Sequence, residues 1–281
     1  MFVTITRGTV VRLSIIPLNE IRPHERTIPS LLSAIRNDMR RTGYQRDPIL
    51  VDRRTHLALD GMHRLESLRS LGAKYGVCAE FDYSDETVKI ERWLRTMIAP
   101  SRKLVSTIIA KFEMDSCSNL QTAIRRVETG RSGIALLSSR ESCVGGTGWN
   151  ISDLYRKIGE VDVLCEKSRT ELQFSRESEK FNLFSSESVV TIFPKRLSKN
   201  DVLRIARRNE LLPYKTTRYF VPVRPMGIYF PISFLRNRSL SECGKKLRQL
   251  VNLSKVILEK RNVWYEGRRY SERLAIFRQD A

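Results

Sequence analysis

The sequence predicts a mixed α/β protein of the α+β kind, built from short strands and helices. Two apolar runs at residues 49–51 and 57–59 flank a polar turn at residues 52–55, a pattern typical of two paired strands joined by a tight turn. The chain then passes through Asp60 and Gly61 into a stretch with apolar residues at every third position, which is the spacing of one helix face. These apolar residues are Met62, Leu65, Leu68 and Leu71. A strand pair that leads directly into a helix indicates the mixed class.

The other elements predicted within the first 100 residues fit one compact α/β unit. Thr27 or Ser30 is expected to cap an early helix that has Pro29 in its first turn and ends at Gly43. Gly72 is expected to end the helix that starts at Met62. The remaining predicted elements are a strand and turn at 10–22, a strand at 77–83, and a helix at 85–98 that contains Trp93.

This first unit covers residues 1–100. The sequence predicts a second α/β domain at residues 101–238 and a basic helical tail at residues 239–281. The predicted elements are helices within 101–130, a strand at 134–137, a helix at 151–158, strands at 161–164 and 189–193, a helix from Ser198 to residue 209, an extended segment at 211–234, and a helix from residue 240. The Ser- and Gly-rich stretch at 138–150 lacks the spacing of a P-loop and is interpreted as a flexible loop.

The composition limits the choice of partners and compartment. The chain has 281 residues and a formal net charge of +19, which favours anionic partners such as nucleotides, phosphorylated metabolites, nucleic acid or membrane surfaces. Five scattered cysteines without CxxC spacing and only three histidines do not fit a structural zinc site, and they indicate separate thiols in a reducing compartment. The N-terminal stretch lacks the apolar core of a signal peptide, and no run reaches transmembrane length. We therefore expect a cytoplasmic protein without a membrane partner.

The first turn of the helix after Gly61 has positive charge where the helix dipole favours negative charge. His63 and Arg64 lie there, beside free backbone N–H groups and the small Gly61. A bound anion, usually a phosphate, explains this arrangement. The alternative is a plain strand–helix turn with His63 and Arg64 on the surface.

Phosphoryl transfer also needs a group that orients or deprotonates the attacking hydroxyl, and usually Mg²⁺. Asp60, at a strand end, and Glu25, in a loop near an earlier strand end, are the acidic candidates, because such loops converge at the carboxyl ends of strands. Asp60 can equally be a helix N-cap, and Glu25 a solvated loop carboxylate. The segment Lys215-Thr216-Thr217-Arg218, with two hydroxyls between two cations, can bind a carboxylate or phosphate or form a basic surface loop.

Together these motifs resemble the ParB/sulfiredoxin-like fold, whose usual signature at the strand–helix junction is DGHHR or GxHR. The matching residues are 48–52, PILVD, and 59–64, LDGMHR. The match is closer to one branch, the free L-serine kinases, in Pro23-His24-Glu25, in residues 81–83 followed by a predicted helix with Trp93, and in Lys215-Thr216-Thr217-Arg218. The similarity covers residues 12–98 and 189–226.

The resemblance implies a kinase that transfers a phosphoryl group from ATP or ADP to the hydroxyl of free L-serine and forms O-phospho-L-serine. Bacterial relatives occur in pathways to 2,3-diaminopropionate, including siderophore synthesis. The implied roles are a catalytic base at Glu25, assistance at the reacting centre or through Mg²⁺ at Asp60, catalysis also at His63, donor-phosphate binding by Gly61, Met62, His63 and Arg64, and amino-acid binding by Trp93, Lys215, Thr216, Thr217 and Arg218. No cluster of side chains is expected to hold a metal ion without the nucleotide.

Two residues depart from the family pattern. Met62 replaces the first histidine of DGHHR, so any role of that imidazole is lost or moved. Tyr219 replaces the histidine that usually follows the KTTR motif, which bears on the identity of the acceptor.

Other functions fit parts of the sequence. A ParB-like DNA-binding regulator without catalysis would explain the net charge of +19 through counterion release, but no helix-turn-helix pattern follows the first domain. A sulfiredoxin-like enzyme needs a reactive cysteine just before the turn, where the chain has residues 57–59, LAL. The kinase hypothesis predicts that Glu25, the turn at 60–64 and the KTTR motif share one pocket, and the basic surface leaves nucleic acid as an additional predicted partner.

Overall fold

The computed structural model describes residues 2–5, 9–177 and 188–279. The chain divides into two compact units, of which unit 1 comprises Met1–Lys89 and Tyr219–Ala281 and unit 2 comprises Ile90–Arg218. These boundaries differ from the predicted ones at residues 100 and 238. The reason is that strands after residue 219 pair inside the unit that also contains the N-terminal sheet.

The main sheet of unit 1 has the order β1 (Phe2–Ile5), β2 (Thr9–Pro17), β6 (Tyr75–Phe81), β4 (Ile49–Asp52) and β5 (Ala58–Asp60). β4 runs parallel to β6, and the other neighbouring strands are antiparallel. Leu50 is paired with Asp60 and Val51 with Ala58, so the predicted strand pair before the helix is confirmed.

Two helices of unit 1, α1 (Pro29–Thr42) and α2 (Met62–Ser70), pack against each other. α2 buries Met62, Leu65 and Leu68, as its spacing predicts. Burial of each such side chain stabilises the folded state by about 1.5–3 kcal/mol relative to leaving it exposed to water. The prediction that Thr27 or Ser30 caps α1 is wrong. The N-cap is Ile28, without a side-chain cap, because the backbone of this loop is bound by the imidazole of His63 instead.

The remaining elements of unit 1 are β3 (Tyr44–Gln45), β14 (Val223–Met226), β15 (Phe230–Pro231), α7 (Ile232–Asn237), α8 (Leu240–Asn252), β16 (Ser254–Glu259), β17 (Val263–Tyr265), β18 (Arg268–Tyr270) and β19 (Arg273–Gln279). β14, β19 and β16 form a sheet in that order, β17 pairs with β18, and β15 pairs with β3. The predicted helical tail is therefore correct only to Asn252, since the residues after it gain partners in sheets. The segment predicted as extended at 211–234 likewise contains the start of α7.

Unit 2 contains β7 (Lys89–Ile98) apart from its first residue, α3 (Arg102–Lys111), β8 (Asp115–Cys117), α4 (Leu120–Glu128), β9 (Ile134–Leu137), β10 (Ser142–Gly145), α5 (Ile151–Lys167), β11 (Leu172–Arg176), β12 (Val189–Pro194), α6 (Lys199–Arg207) and the first two residues of β13 (Thr217–Phe220). Its sheet has the order β11-β7-β12-β9-β10-β8, and β13 pairs with β7. The strands predicted at 134–137 and 189–193 are confirmed, as is the helix capped by Ser198.

Three predictions in unit 2 are wrong. The stretch at 138–150, interpreted as a flexible loop, contains the strand β10, which pairs with β9. The segment predicted as a helix with Trp93 is the strand β7, because it lies between β11 and β12 and hydrogen-bonds to both. The strand predicted at 161–164 is part of α5, in which Ile158, Val161 and Cys165 are buried at helical spacing.

Candidate active site

The turn between β5 and α2 has the backbone geometry of an anion site. Gly61, not Asp60, is the N-cap of α2, with φ 100° and ψ 27° in the left-handed region that favours glycine. Within the described chain, this helix start has no side-chain cap and no acidic residue in its first turn. Its first backbone N–H groups are therefore suited to donate hydrogen bonds to the oxygens of an anion.

The Arg64 side chain folds back over Gly61. A Cβ placed on Gly61 would lie 2.8 Å from Arg64 Nη2 and 3.1 Å from Arg64 Nε. Nη2 donates to the Pro48 carbonyl at 3.2 Å, whereas the buried Nε has no hydrogen-bond partner among the described residues. A guanidinium with a spare donor beside a helix start is suited to a phosphate oxygen.

His63 does not act as a second cation in this structure. Its Nε2 accepts a hydrogen bond from the Ile28 backbone N–H at 2.9 Å, so this nitrogen presents a lone pair rather than a proton. The contact ties the start of α2 to the loop that precedes α1, in which Glu25 lies. The roles of His63 in phosphate binding and catalysis stay predictions.

Asp60, the last residue of β5, is held by arginines. Its Oδ2 accepts a hydrogen bond from Arg224 Nη1, and Arg224 Nε donates to Glu272 Oε1 at 2.7 Å. Burial by itself raises the pKa of Asp60, but the charges of Arg224, Arg64 and Arg268 outweigh it and hold the pKa well below its usual range. Asp60 is therefore a carboxylate at any pH used to assay an enzyme.

Glu25 lies next to the fully buried His24. The Glu25 side chain is 11% exposed, and its Oε1 is 3.7 Å from His24 Nε2. Burial lowers the pKa of His24 to about 4, although a hydrogen bond with the Ala58 backbone and the charge of Asp60 oppose this shift. The imidazole is neutral at pH 7, and Glu25 is not a freely solvated carboxylate.

Tyr219 supports the same loop. Its ring meets the His24 ring edge-on, with the centroids 5.8 Å apart, and its hydroxyl is 2.9 Å from the Tyr83 hydroxyl. Both tyrosines are 3% exposed. The residue that departs from the family pattern at position 219 is thus a packing partner of the loop that carries Glu25.

The predicted amino-acid-binding residues lie together in unit 2. Trp93 Nε1 donates to the Thr217 carbonyl at 3.1 Å, and the Trp93 backbone N–H donates to the Thr216 carbonyl at 3.4 Å. Lys215 Nζ is 4.4 Å and Arg218 Cζ is 5.4 Å from the centroid of the Trp93 ring. Thr216, Thr217 and Arg218 are buried, so the motif is not a basic surface loop.

A buried ion pair fixes the backbone of this motif. Arg95 donates to both carboxylate oxygens of Asp162, at 2.7 and 3.1 Å, and to the carbonyls of Tyr214 and Lys215, at 2.9 and 3.2 Å. Lys215 has φ 54°, which is uncommon for a residue with a side chain. The guanidinium thus holds a backbone conformation that would otherwise be unfavourable.

Several residues of these sites have no distinctive pattern in the sequence. Arg224 is a single cation between apolar residues, and Glu272 and Asp162 are isolated carboxylates far from their partners along the chain. Among the residues that sequence reasoning missed, only His24 has a recognisable signal, because it lies in the Pro-His-Glu loop. The hydrogen bond from Ile28 to His63 likewise joins residues 35 positions apart.

The described residues also limit metal and membrane binding. No helix among them is long and apolar enough to cross a membrane. The same residues contain no group of three or more His, Cys, Asp or Glu side chains placed to hold a metal ion. All five cysteines are free thiols.

Comparison with known proteins identifies relatives along most of the chain. No protein-family model matches the sequence. An ATP-dependent L-serine kinase of Staphylothermus marinus is 24% identical over 238 residues, which cover 79% of this chain and 90% of that protein. An ADP-dependent L-serine kinase of Thermococcus kodakarensis is 24% identical over 217 residues, or 75% of this chain and 87% of that protein. A ParB-like protein of Sulfolobus acidocaldarius is 33% identical over 85 residues, or 30% of this chain and 42% of that protein.

Solved structures share the fold. SbnI of Staphylococcus aureus, with a C-terminal truncation, superposes with a TM-score of 0.71 at 18% identity over 85% of this chain and 95% of that chain. A mutant free serine kinase in complex with AMP gives a TM-score of 0.70 at 23% identity over 80% of this chain and 94% of that chain. The predicted class is confirmed, because this is a mixed α/β protein with a ParB-like fold. Within that class, the chain is related in sequence and in fold to the free L-serine kinases, as its motifs indicated.

The candidate residues divide between the units. Glu25 and the turn at 60–64 belong to unit 1, whereas Trp93 and the KTTR motif belong to unit 2. The prediction that all three motifs share one pocket stays a prediction, as do the roles of the individual residues.

Proposed function

We propose that this protein is a free L-serine kinase, which transfers a phosphoryl group from ATP or ADP to the hydroxyl of L-serine and releases O-phospho-L-serine. One observation carries the proposal: an uncapped helix start, a left-handed Gly61 and the spare donor of Arg64 lie beside an ionised Asp60. The two relatives at 24% identity, one ATP-dependent and one ADP-dependent, support the reaction and leave the donor open.

We assign the donor phosphates to the start of α2. The backbone N–H groups after Gly61 and the Arg64 guanidinium offer several donors to one anion, and charge-assisted hydrogen bonds of this kind are the stronger ones. Met62 contributes through its backbone, since its side chain is buried in the core. His63, bound to Ile28, orients the turn.

Glu25 is proposed as the general base. Its carboxylate accepts the proton of the serine hydroxyl while the serine oxygen bonds to the terminal phosphorus of the donor. The bond from that phosphorus to the bridging oxygen breaks, and the shortened nucleotide leaves. The neutral, buried His24 and Tyr219, which packs on it, hold the loop of Glu25 in place.

The residues present fit a Mg²⁺ ion that binds together with the nucleotide. Magnesium commonly takes one or two protein carboxylates and completes its coordination with phosphates and water. Asp60 has Oδ2 bound to Arg224, so Oδ1 is the oxygen it can offer. The ion would neutralise charge on the phosphates, and the arginines near Asp60 make binding without a nucleotide unfavourable.

Trp93 and the KTTR motif are proposed to bind the amino acid. Lys215 and Arg218 supply cationic donors for the serine carboxylate, and both lie against the Trp93 ring. The Thr216 hydroxyl already donates to the Pro213 carbonyl at 2.8 Å, so its part is to hold the turn.

We also propose, from the motif resemblance, a cytoplasmic location and use of phosphoserine in a diaminopropionate or siderophore-type pathway. The alternative of a ParB-like DNA-binding regulator is not favoured. The ParB-like relative matches 85 residues, whereas the kinases match 217 to 238. Nucleic acid as an additional partner rests on the net charge of +19 alone.

The test of the function is direct. The purified chain is incubated with Mg²⁺, L-serine and either ATP or ADP, and phosphoserine is measured by mass spectrometry, with L-threonine and glycine as alternative amino acids. Phosphoserine that depends on donor and enzyme is expected. Its absence with both donors would refute the proposal.

Glu25→Gln tests the assigned base. Because a general base commonly contributes about 10²–10⁴-fold, phosphoserine formation should fall by at least about 100-fold, with nucleotide binding close to that of the parent. The matched control is Glu20→Gln, since Glu20 is a half-exposed carboxylate in the preceding turn and pairs with His56 instead. Activity in Glu25→Gln near that of the control would remove Glu25 from this role.

A further inference from the structure

Free L-serine carries an ammonium and a carboxylate on the same carbon, so the protein groups that bind them must be neighbours. Lys215 and Arg218 are the cations proposed for the carboxylate, and both lie against the Trp93 ring, with Nζ 4.4 Å and Cζ 5.4 Å from its centroid. Since cations already lie against this ring, the ammonium needs a different, anionic partner close by.

Glu91 is a half-buried carboxylate on the strand that carries Trp93. The two residues are alternate positions of β7, so their side chains extend from the same face, and their Cα atoms are about 6.8 Å apart. Glu91 Oε2 is buried and has no hydrogen-bond partner among the described residues. A buried acceptor without a partner is costly, and a bound ligand with a donor removes that cost.

We infer that Glu91 binds the α-ammonium group of the amino-acid acceptor and thereby selects amino acids over hydroxy acids that lack the amine. This inference rests on the proposed function, because it concerns the acceptor of that reaction. An ammonium group has three N–H donors and no acceptor, which suits a carboxylate. Hydrogen bonds between two charged groups are also stronger than neutral ones.

Other carboxylates of this unit are already bound. Asp162 accepts from Arg95 with both oxygens, at 2.7 and 3.1 Å. Glu177 Oε1 accepts from Arg92 and from Arg196, each at 2.7 Å. Glu177 Oε2 has no partner within the described chain, but two guanidinium groups already balance the charge of this side chain. The carboxylate on β7 is therefore the better partner for a cationic ligand.

The charges around Glu91 support the same assignment. Burial raises the pKa of Glu91, and the charge of Glu177 raises it further. The guanidinium groups of Arg218, Arg196 and Arg176 oppose this shift without cancelling it. The ionised carboxylate is thus incompletely compensated, and a ligand ammonium would supply the hydrogen-bonded cation that Oε2 lacks within the described chain.

The test compares Glu91→Gln with the parent on two acceptors, L-serine and 3-hydroxypropionate, which keeps the hydroxyl and the carboxylate but lacks the amine. For L-serine, kcat/KM should fall about tenfold to 150-fold, mainly through a higher KM, because a charge-assisted hydrogen bond is lost. For 3-hydroxypropionate, kcat/KM should stay the same or rise, because no ammonium is present and no carboxylate is left unpaired. Equal losses with both acceptors, or an unchanged value for L-serine, would overturn the inference.

Glu171→Gln is the matched control. Glu171 is an exposed carboxylate directly before β11, and its carbonyl accepts from the Ile98 backbone N–H at the end of β7 far from Glu91. Its side chain accepts from Gln173 at 2.8 Å. Both acceptors should keep the parent's kcat/KM in this variant.

A binding measurement separates this inference from the proposed function. Calorimetric titration with each acid is carried out in the presence of AMP, so that no phosphoryl transfer occurs. The parent should bind L-serine more tightly than 3-hydroxypropionate, and Glu91→Gln should bind the two with similar affinity. A preference for L-serine that persists in Glu91→Gln, or a parent that binds neither acid, overturns the inference.

Absence of phosphoserine in the parent would instead refute the kinase proposal, while the binding preference still tests Glu91. If Glu91→Gln does not fold, Glu91→Asp takes its place, because it keeps the charge but withdraws the carboxylate by one methylene. L-serine should bind more weakly to Glu91→Asp than to the parent. Equal affinity would overturn the inference.

Discussion

Substitution of Gly61 by alanine separates backbone strain from anion binding. Gly61 has φ 100°, and a Cβ there would lie 2.8 Å from Arg64 Nη2. Gly43 offers a matched control in the same unit, because it has φ 77° and a Cβ there would meet nothing within 4 Å. Both substitutions force alanine into the left-handed region, but only the first displaces the Arg64 guanidinium.

The expected magnitudes differ for stability and for binding. A non-glycine residue in the left-handed region costs about 1–2 kcal/mol, so both variants should lose a similar amount of unfolding free energy. The guanidinium is the far end of a flexible side chain, and it can swing away from the Cβ at little further cost in stability. A lost charge-assisted hydrogen bond to phosphate costs about 1.5–3 kcal/mol, which is about tenfold to 150-fold in the dissociation constant.

Urea unfolding and calorimetric titration with ADP and ATP measure the two effects separately. Gly61→Ala should bind nucleotide at least about tenfold more weakly than Gly43→Ala, at similar stability. Equal nucleotide affinity in the two variants would show that Gly61 and Arg64 do not form the phosphate site. A much larger stability loss in Gly61→Ala would show that Arg64 has a structural task instead.

The remaining predictions concern buried charge. Arg95→Met leaves the Asp162 carboxylate buried without its partner, so urea unfolding should show a loss of about 3–5 kcal/mol; a loss below 1 kcal/mol would contradict the role given to this pair. The pKa of His24 is lowered to about 4 in the folded state, so this side chain binds a proton less readily in the folded than in the unfolded chain. Its contribution to the free energy of unfolding is therefore fully present above about pH 6.5. That contribution should be lost as pH falls from 6.5 toward 4, by up to about 3 kcal/mol. Across this range the free energy of unfolding should fall more steeply with decreasing pH in the parent than in His24→Gln. Parallel curves of unfolding free energy against pH would refute the assignment.

Local patterns in the sequence were enough for the strand–turn–strand–helix stretch from Ile49 to Ser70. The apolar alternation and three-residue spacing are satisfied within that stretch, so β4, β5 and α2 form where the pattern indicates. The unusual first turn of α2 also pointed to an anion, because a helix dipole and two basic residues are local properties. The family resemblance then extended this to a ParB-like fold, which the structural neighbours bear out.

Local patterns failed where a segment's partners are distant in the chain. The strand β7 has helical spacing but lies between two other strands, and the chain after Asn252 leaves its helix for a sheet that includes β14. Hydrogen bonding to those partners outweighs an intrinsic preference that amounts to about 1 kcal/mol or less per residue.

The sequence by itself determined the identity of the chemical groups at the helix start: Asp60, the small Gly61 and the cationic Arg64. Only the tertiary structure decided their states. It bound His63 through Ile28 so that it is not a cation, buried His24 so that it stays neutral, and placed Arg224 and Glu272 so that Asp60 stays ionised. The reason is physical, because protonation and orientation depend on desolvation and on charges within a few ångströms. The residues that provide them here are up to 212 positions apart in the chain.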